Sequence, residues 1–250
     1  MSGQGWKLAR LWRRVFIGLF GAWLLSVPSS EGVLAFGAGA PEETSKAREG
    51  RSLFGFAEIE YPAAIEFAKW TEVLSRYQAD RRSELALCLG GDCLLLRWRY
   101  FLVGLKRSPP LAQLKLVNDY LNRFPYRPDL ENYGAEDYWA TPRELFARGG
   151  DCEDYAIAKY LSLRALGWPA EQLQIVVVND RTRDLVHAAL IARQGDGAYL
   201  LDIEIAEVTD HRRVTRYAPI FSINETAWFS YQSSAPVDVE RSISAPPTRP

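Results

Sequence analysis

The sequence predicts an α+β fold in which an N-terminal helical part, together with a central buried helix, packs against an antiparallel sheet. Three observations predict it. Apolar side chains in the first half of the globular region recur at helical spacing. The segment DCEDYAIAKYLSLRALG at 151–167 is apolar on nearly every side, the pattern of a helix buried all round. After it the period changes, and short apolar runs alternate with turn residues.

The elements follow in chain order. Phe67, Trp70, Leu74 and Tyr77 fall on one face of a helix beginning near Pro62. A second helix covers roughly 97–106. A third opens after Ser-Pro-Pro at 108–110, because proline suits the first helical turn, and carries Leu111, Leu114, Asn118 and Leu121. Asn118 and Asn122, one turn apart, are read as facing solvent in preference to bonding a neighbouring loop. The buried helix opens with Asp151 as N-cap and closes with Gly167 as C-cap, its polar interruptions being mainly Lys159, Ser162 and Arg164. QIVVV at 174–178, LVHAALIA at 185–192 and AYLLDI at 198–203 read as strands, the last two joined through QGDG at 194–197 as a tight hairpin.

Length and charge bound the function. A chain of 250 residues holds one sizeable domain or two small ones, and a formal net charge of −1 argues against nucleic acid as the main partner. Lys7, Arg10, Arg13 and Arg14 precede the apolar run VFIGLFGAWLLSV at 15–27, and small residues follow. That is the layout of a secretory signal peptide, placed at 1–35 with VLA at 33–35 as its cleavage site. The run is short for a span of about 20 residues, so an uncleaved membrane anchor is the weaker reading. Residues 36–52 read as a linker, 53–232 as the globular domain and the proline-rich 233–250 as a disordered tail.

Export changes how the three cysteines read. Cys88 and Cys93 bracket Gly90 and Gly91 and are candidates for a small disulfide in an oxidising compartment, two buried free thiols being the alternative. Cys152 is then the odd cysteine, flagged as free and reactive. It stands in GGDCEDYA at 149–156, where Asp151, Glu153 and Asp154 oppose formation of a thiolate. A helix start favours a thiolate through its unpaired N–H groups and macrodipole, and so does a neighbouring imidazolium. Three carboxylates this close also suit a hard cation such as calcium. The competing reading makes them complements of the helix dipole and nothing more.

His187 lies in the second strand and Asp202 near the end of the third, so the hairpin carries them on adjacent strands. Cys152, His187 and Asp202 supply a thiol, a base and a carboxylate to fix the tautomer of the base, the set that nucleophilic thiol chemistry needs. Taken singly, each has a plainer reading: a packed cysteine, a satisfied core histidine and a strand-end acceptor. His211, in the charged stretch TDHRRVTR, reads as surface.

The segment DYWATPRELFARGGDCEDYAIAKYLSLRALG, with HAALIA and YLLDI after it, resembles the bacterial transglutaminase-like cysteine proteinases of the LapG type. The resemblance covers roughly residues 52–230 and takes in NRFPYRPD and PIFSIN. It implies a papain/transglutaminase-like fold and a calcium-dependent periplasmic cysteine endopeptidase. Position by position it implies Cys152 as nucleophile, His187 as general base and Asp202 as orienting acid, with Asp151, Glu153 and Asp154 holding Ca2+. One departure is Ile203 after Asp202, where the family usually places asparagine. Trp139, in DYWATP, is read either as a wall of the substrate cleft or as a core tryptophan. The implied substrate is the N-terminal region of a large surface adhesin, cut near a pair of alanines to disperse a biofilm. The implied partner is an inner-membrane cyclic-di-GMP receptor that sequesters the protease. Acyl transfer to an amine by the same triad, and a non-catalytic exported binding module of the same fold, are the alternatives.

Overall fold

The structure is a computed structural model that describes residues 51–62 and 67–233. The expected signal peptide, most of the linker and all but Ser233 of the expected tail lie outside the described residues. Among the described residues, no helix is long and apolar enough to cross a membrane. The helices are α1 (Ala68–Leu89), α2 (Leu94–Leu105), α3 (Pro110–Leu121), α4 (Asp129–Asn132), α5 (Pro142–Arg148) and α6 (Cys152–Leu166). The strands are β1 (Ser52–Leu53), β2 (Phe56–Pro62), β3 (Leu173–Asp180), β4 (Leu185–Gln194), β5 (Gly197–Leu201), β6 (Thr209–Asp210), β7 (Tyr217–Ile223) and β8 (Ala227–Ser233). They form one sheet in the order β1-β2-β8-β7-β3-β4-β5-β6, antiparallel throughout.

The α+β class, the buried helix and the hairpin stand as read from sequence. The pairing of Gln194 with Gly197 leaves Gly195 and Asp196 as a two-residue loop. The N-terminal side departs from expectation. Residues 56–62 form a strand rather than the approach to a helix, and α1 starts only after Phe67. β2 pairs with β8, from Phe56 opposite Ser233 to Pro62 opposite Ala227. The partner comes from the far end of the domain, so no local window of sequence reports the pairing.

α6 is the hub of the fold. It packs against β3 and β4 on one side and against α2, α3 and α5 on the other, and every residue from Glu153 to Leu163 is buried. Its polar groups are served within the core: Trp98 Nε1 donates to Ser162 Oγ at 3.0 Å, and that hydroxyl donates to Ala158 O at 2.7 Å. The sheet is covered on both faces. Ile175 and Val177 pack with the helices, whereas Val176 and Val178 pack with Leu53, Ala198 and Leu200 on the opposite side. That explains why β3 reads as an unbroken apolar run instead of an alternating one. Cys88 and Cys93 form a disulfide across the α1–α2 turn, and Cys152 is the free cysteine among the described residues.

His211 corrects the sequence reading, because it is buried rather than on the surface. Its Nδ1 accepts from Phe54 N at 3.0 Å and ties down the β1–β2 turn. Burial lowers its pKa, against the pull of Asp210 and with the help of Arg193 and Arg212. A histidine harder to protonate in the folded chain costs stability once the unfolded chain starts to bind protons, below about pH 6.5. Its contribution is therefore intact above that pH and lost as pH falls. Urea unfolding between pH 7.5 and 5.5 should show this loss, about 1.4 kcal/mol for each unit separating the two pKa values, with a shallower fall in His211→Gln. Equal slopes in the two proteins would contradict the assignment.

Candidate active site

The stretch GGDCED is shaped by two close approaches. Gly149 has φ +81°, and a Cβ there would lie 2.2 Å from Pro125 O; one on Gly150 would lie 2.2 Å from Asp154 Oδ2. Glycine at both positions lets segment 125–127 and the Asp154 carboxylate come in against the chain. Arg127 N then donates to Gly150 O at 2.8 Å and Gly150 N to Pro125 O at 3.3 Å. Asp154 is fully buried and accepts from Ala140 N at 2.6 Å and Asp151 N at 3.2 Å. Its two oxygens are thus engaged with backbone amides that hold the turn.

The clustered carboxylates are not the same three that the sequence reading grouped. Among the described residues, Asp129, Asp151 and Glu153 each offer one carboxylate oxygen that lies within 4.8 Å of the other two. Asp129 replaces Asp154 in the cluster. It stands at the start of α4, with Oδ2 accepting from Tyr138 N. Oδ1 of Asp129 and Oδ1 of Asp151 are buried without a hydrogen-bond partner. Burial lifts the Asp129 pKa to about 6. Burial and the neighbouring carboxylates also push Asp151 and Glu153 well above the ordinary range.

Magnitudes decide between the two readings of these acids. Like charges at this separation repel by roughly 3–4 kcal/mol per pair at an effective dielectric near 20. The helix dipole returns only about 0.3–1 kcal/mol for each carboxylate. Dipole complementation is too small to keep the cluster ionised. An all-oxygen set in which one buried oxygen of Asp129 and one of Asp151 lack partners fits a hard divalent cation such as calcium, which takes six to eight oxygens.

Cys152 opens α6 beside this cluster, and its thiol donates to Glu153 Oε2 at 3.2 Å. Burial, then Glu153 and Asp151, push the thiol pKa up, while a bond with the Ala188 backbone opposes them. Cys152 and His187 line the same cleft, together with Tyr126, Pro128, Val177 and Ala188. His187 Nε2 lies 2.7 Å from Asp202 Oδ1, so Nδ1 is the ring nitrogen not engaged by the carboxylate. Asp202 is fully buried. Oδ1 also accepts from Glu204 N at 2.9 Å, and Oδ2 accepts from Tyr217 OH at 2.7 Å. Burial alone would raise the Asp202 pKa, but the bonds from His187, Glu204 and Tyr217 outweigh it and hold it below the usual carboxylate value. The acid stays ionised and fixes the orientation of the imidazole.

One further expectation is revised, and one open alternative is resolved. Asn118 and Asn122 do not face solvent: Asn118 Nδ2 donates to Ala206 O at 2.9 Å, and Asn122 Nδ2 donates to Asp202 O at 2.8 Å. The loop that carries Asp202 passes over α3, a contact across eighty residues of sequence that helical spacing cannot reveal. Trp139 is a core residue, 4% exposed, whose Nε1 donates to Asp137 Oδ1 at 3.0 Å, and it is not among the residues lining the cleft. Sequence reasoning also missed Asp129, Tyr126 and Tyr217. The first two sit in NRFPYRPD, whose only signal was its place in the family resemblance.

A family model described as bacterial transglutaminase-like cysteine proteinase matches residues 105–234, a span that contains Cys152, His187 and Asp202. The chain belongs to this family. Comparison with curated proteins finds no match. Among solved structures, Legionella pneumophila LapG is similar at 27% identity and a TM-score of 0.50, over 64% of this chain and 86% of that one. EGTA-treated Legionella pneumophila LapG is similar at 26% identity and a TM-score of 0.51, over 70% and 91%. The calcium-bound form gives 28% identity and a TM-score of 0.49, over 67% and 93%. Family membership makes the protein a cysteine protease of the transglutaminase-like fold, in agreement with the helix-and-sheet architecture.

Proposed function

We propose that this protease is a calcium-dependent periplasmic endopeptidase in which Cys152, His187 and Asp202 act as nucleophile, general base and orienting acid. The observation that carries the reading is the buried 2.7 Å bond between His187 and Asp202, with His187 and Cys152 lining one cleft. Cys152 Sγ attacks the scissile carbonyl while His187 holds the thiol proton and then delivers it to the leaving amine; water releases the acyl group. Asp202 keeps the imidazole in one tautomer and stabilises its protonated form.

Asp129, Asp151 and Glu153 are the residues that would hold the calcium. Bound there, it would neutralise the carboxylates that otherwise oppose the thiolate. The unpartnered buried oxygens of Asp129 and Asp151 support this, as does the likeness to a LapG protein that was treated with EGTA. The family resemblance supports the N-terminal region of a surface adhesin as substrate, cut near two alanines, and a sequestering inner-membrane cyclic-di-GMP receptor as partner. The charged, apolar and small-residue layout of 1–35 supports export.

The base and its acid are tested by kinetics on an adhesin fragment carrying an Ala-Ala bond. His187→Ala should lose as much activity as removal of the thiol. Asp202→Asn should lose about one to two orders of magnitude less, because a triad acid orients the base and does not transfer the proton itself. His187→Ala that still cleaves within tenfold of wild type would remove His187 from the mechanism.

A further inference from the structure

The residues so far assigned to the reaction stabilise the thiol and the imidazole, and for the negative charge that forms on the carbonyl oxygen they leave the unpaired backbone N–H groups that a helix start offers. A residue that carries a further donor borders the same cleft. Tyr126 lines it with Cys152 and His187. Its backbone is fixed to the turn before the nucleophile: residue 126 forms a parallel bridge with Gly150, flanked by the Arg127 N to Gly150 O bond at 2.8 Å and the Gly150 N to Pro125 O bond at 3.3 Å. The phenol is therefore carried on a segment bonded to the chain just ahead of Cys152, and Gly149 adopts a conformation that permits the approach. The side chain is 53% exposed, so it is not there to fill the core.

We propose that Tyr126 is a catalytic residue, donating its hydroxyl hydrogen bond to the oxyanion of the tetrahedral intermediate. The proposal rests on Cys152 being the nucleophile. Attack forms the Sγ–C bond and moves the carbonyl π pair onto oxygen; that oxygen accepts from Tyr126 O–H and from backbone N–H. Collapse restores the C=O bond and breaks the C–N bond, with the amine taking its proton from the His187 imidazolium. Tyr126 gives up no proton. A phenol suits this role. An ordinary phenol, with a pKa of about 10, stays protonated and so a donor through the working pH range.

The test compares wild type, Tyr126→Phe and Tyr126→Ala on a fluorogenic Ala-Ala peptide, on acetyl-Ala-Ala-aldehyde, which forms with a thiol a tetrahedral hemithioacetal whose oxygen takes the place of the oxyanion, and on iodoacetamide, whose reaction forms no tetrahedral oxygen. Tyr126→Phe should lower kcat by about 10²–10³-fold, the range for loss of one oxyanion donor, with KM within about twofold. Aldehyde affinity should fall with kcat, while the rate of iodoacetamide capture at Cys152 stays at the wild-type value. Full activity in Tyr126→Phe with loss only in Tyr126→Ala would make the ring a packing surface and overturn the proposal. Slower iodoacetamide capture in Tyr126→Phe would place the phenol on the thiol instead, and would overturn it too. If wild type forms no aldehyde adduct at Cys152, the nucleophile reading fails first and takes this one with it.

Discussion

Replacing Cys152 by alanine is expected to abolish peptide cleavage, by about 10³-fold or more, since the members of a nucleophilic triad act as a unit. The fold should survive the change. The turn before α6 is held by Asp154 through Ala140 N and Asp151 N and by the 125–127 segment on Gly150, none of which needs the sulfur. The substitution also removes the thiol that burial and two carboxylates make costly to ionise. Thermal unfolding should therefore match wild type within a few degrees, roughly 1 kcal/mol in a domain of this size. Residual cleavage above about one-thousandth of wild type, in protein that melts normally, would mean that another group attacks the carbonyl.

Chelation is expected to remove activity almost as completely, and reversibly. Calcium should restore it better than magnesium, which demands a compact octahedron and keeps its waters. Bound calcium should also stabilise the fold by mass action, about 2.7 kcal/mol at a hundredfold excess over Kd. Asp129→Asn should imitate chelation, because it alters one of the three clustered carboxylates while Cys152 stays in place. The calcium needed for half activity should rise by about 10–100-fold or more, the lower end being what loss of a mere outer partner causes. Asp154→Asn should behave differently. It weakens bonds from two buried amides, so stability should drop by about 1.5–3 kcal/mol with calcium affinity less affected. The reverse pattern, affinity lost in Asp154→Asn and kept in Asp129→Asn, would restore the ligand set first read from sequence.

The contrast between those two aspartates shows where sequence reading ends. Much that is local to one element was legible: the apolar circumference of α6, its Asp151 and Gly167 ends, the Gly195-Asp196 hairpin, and the change of period from helices to strands. Cys152, His187 and Asp202 were legible as well, because their residue types are chemically distinctive and their spacing resembles a known family. What stayed hidden depends on contacts between distant segments. Asp129 reaches the cluster only because α4 lies against the turn at 149–151, and Asn132 Nδ2 donates to Gly149 O at 3.0 Å to keep it there. Tyr217 meets Asp202, and Asn122 meets the same loop, through the folding of the sheet over α3. His211 was hidden by composition, since its charged neighbours Arg212 and Arg213 point to a surface that the imidazole itself does not share. Asp154 shows the opposite case: adjacency to the nucleophile suggested a ligand, and what the fold adds is that its side chain also accepts from amides of the preceding loop.

The measurement that tests the central claim most directly is the rate of iodoacetamide capture at Cys152 at pH 7, read by intact mass and peptide mapping, in calcium and in EGTA. If a cation held by Asp129, Asp151 and Glu153 offsets their charge on the thiol, capture should be faster in calcium by about tenfold or more, the effect of lowering the thiol pKa by one unit. The label should fall on Cys152, and Asp129→Asn should react slowly in both buffers at modest calcium. Equal capture rates in calcium and in EGTA would contradict the account.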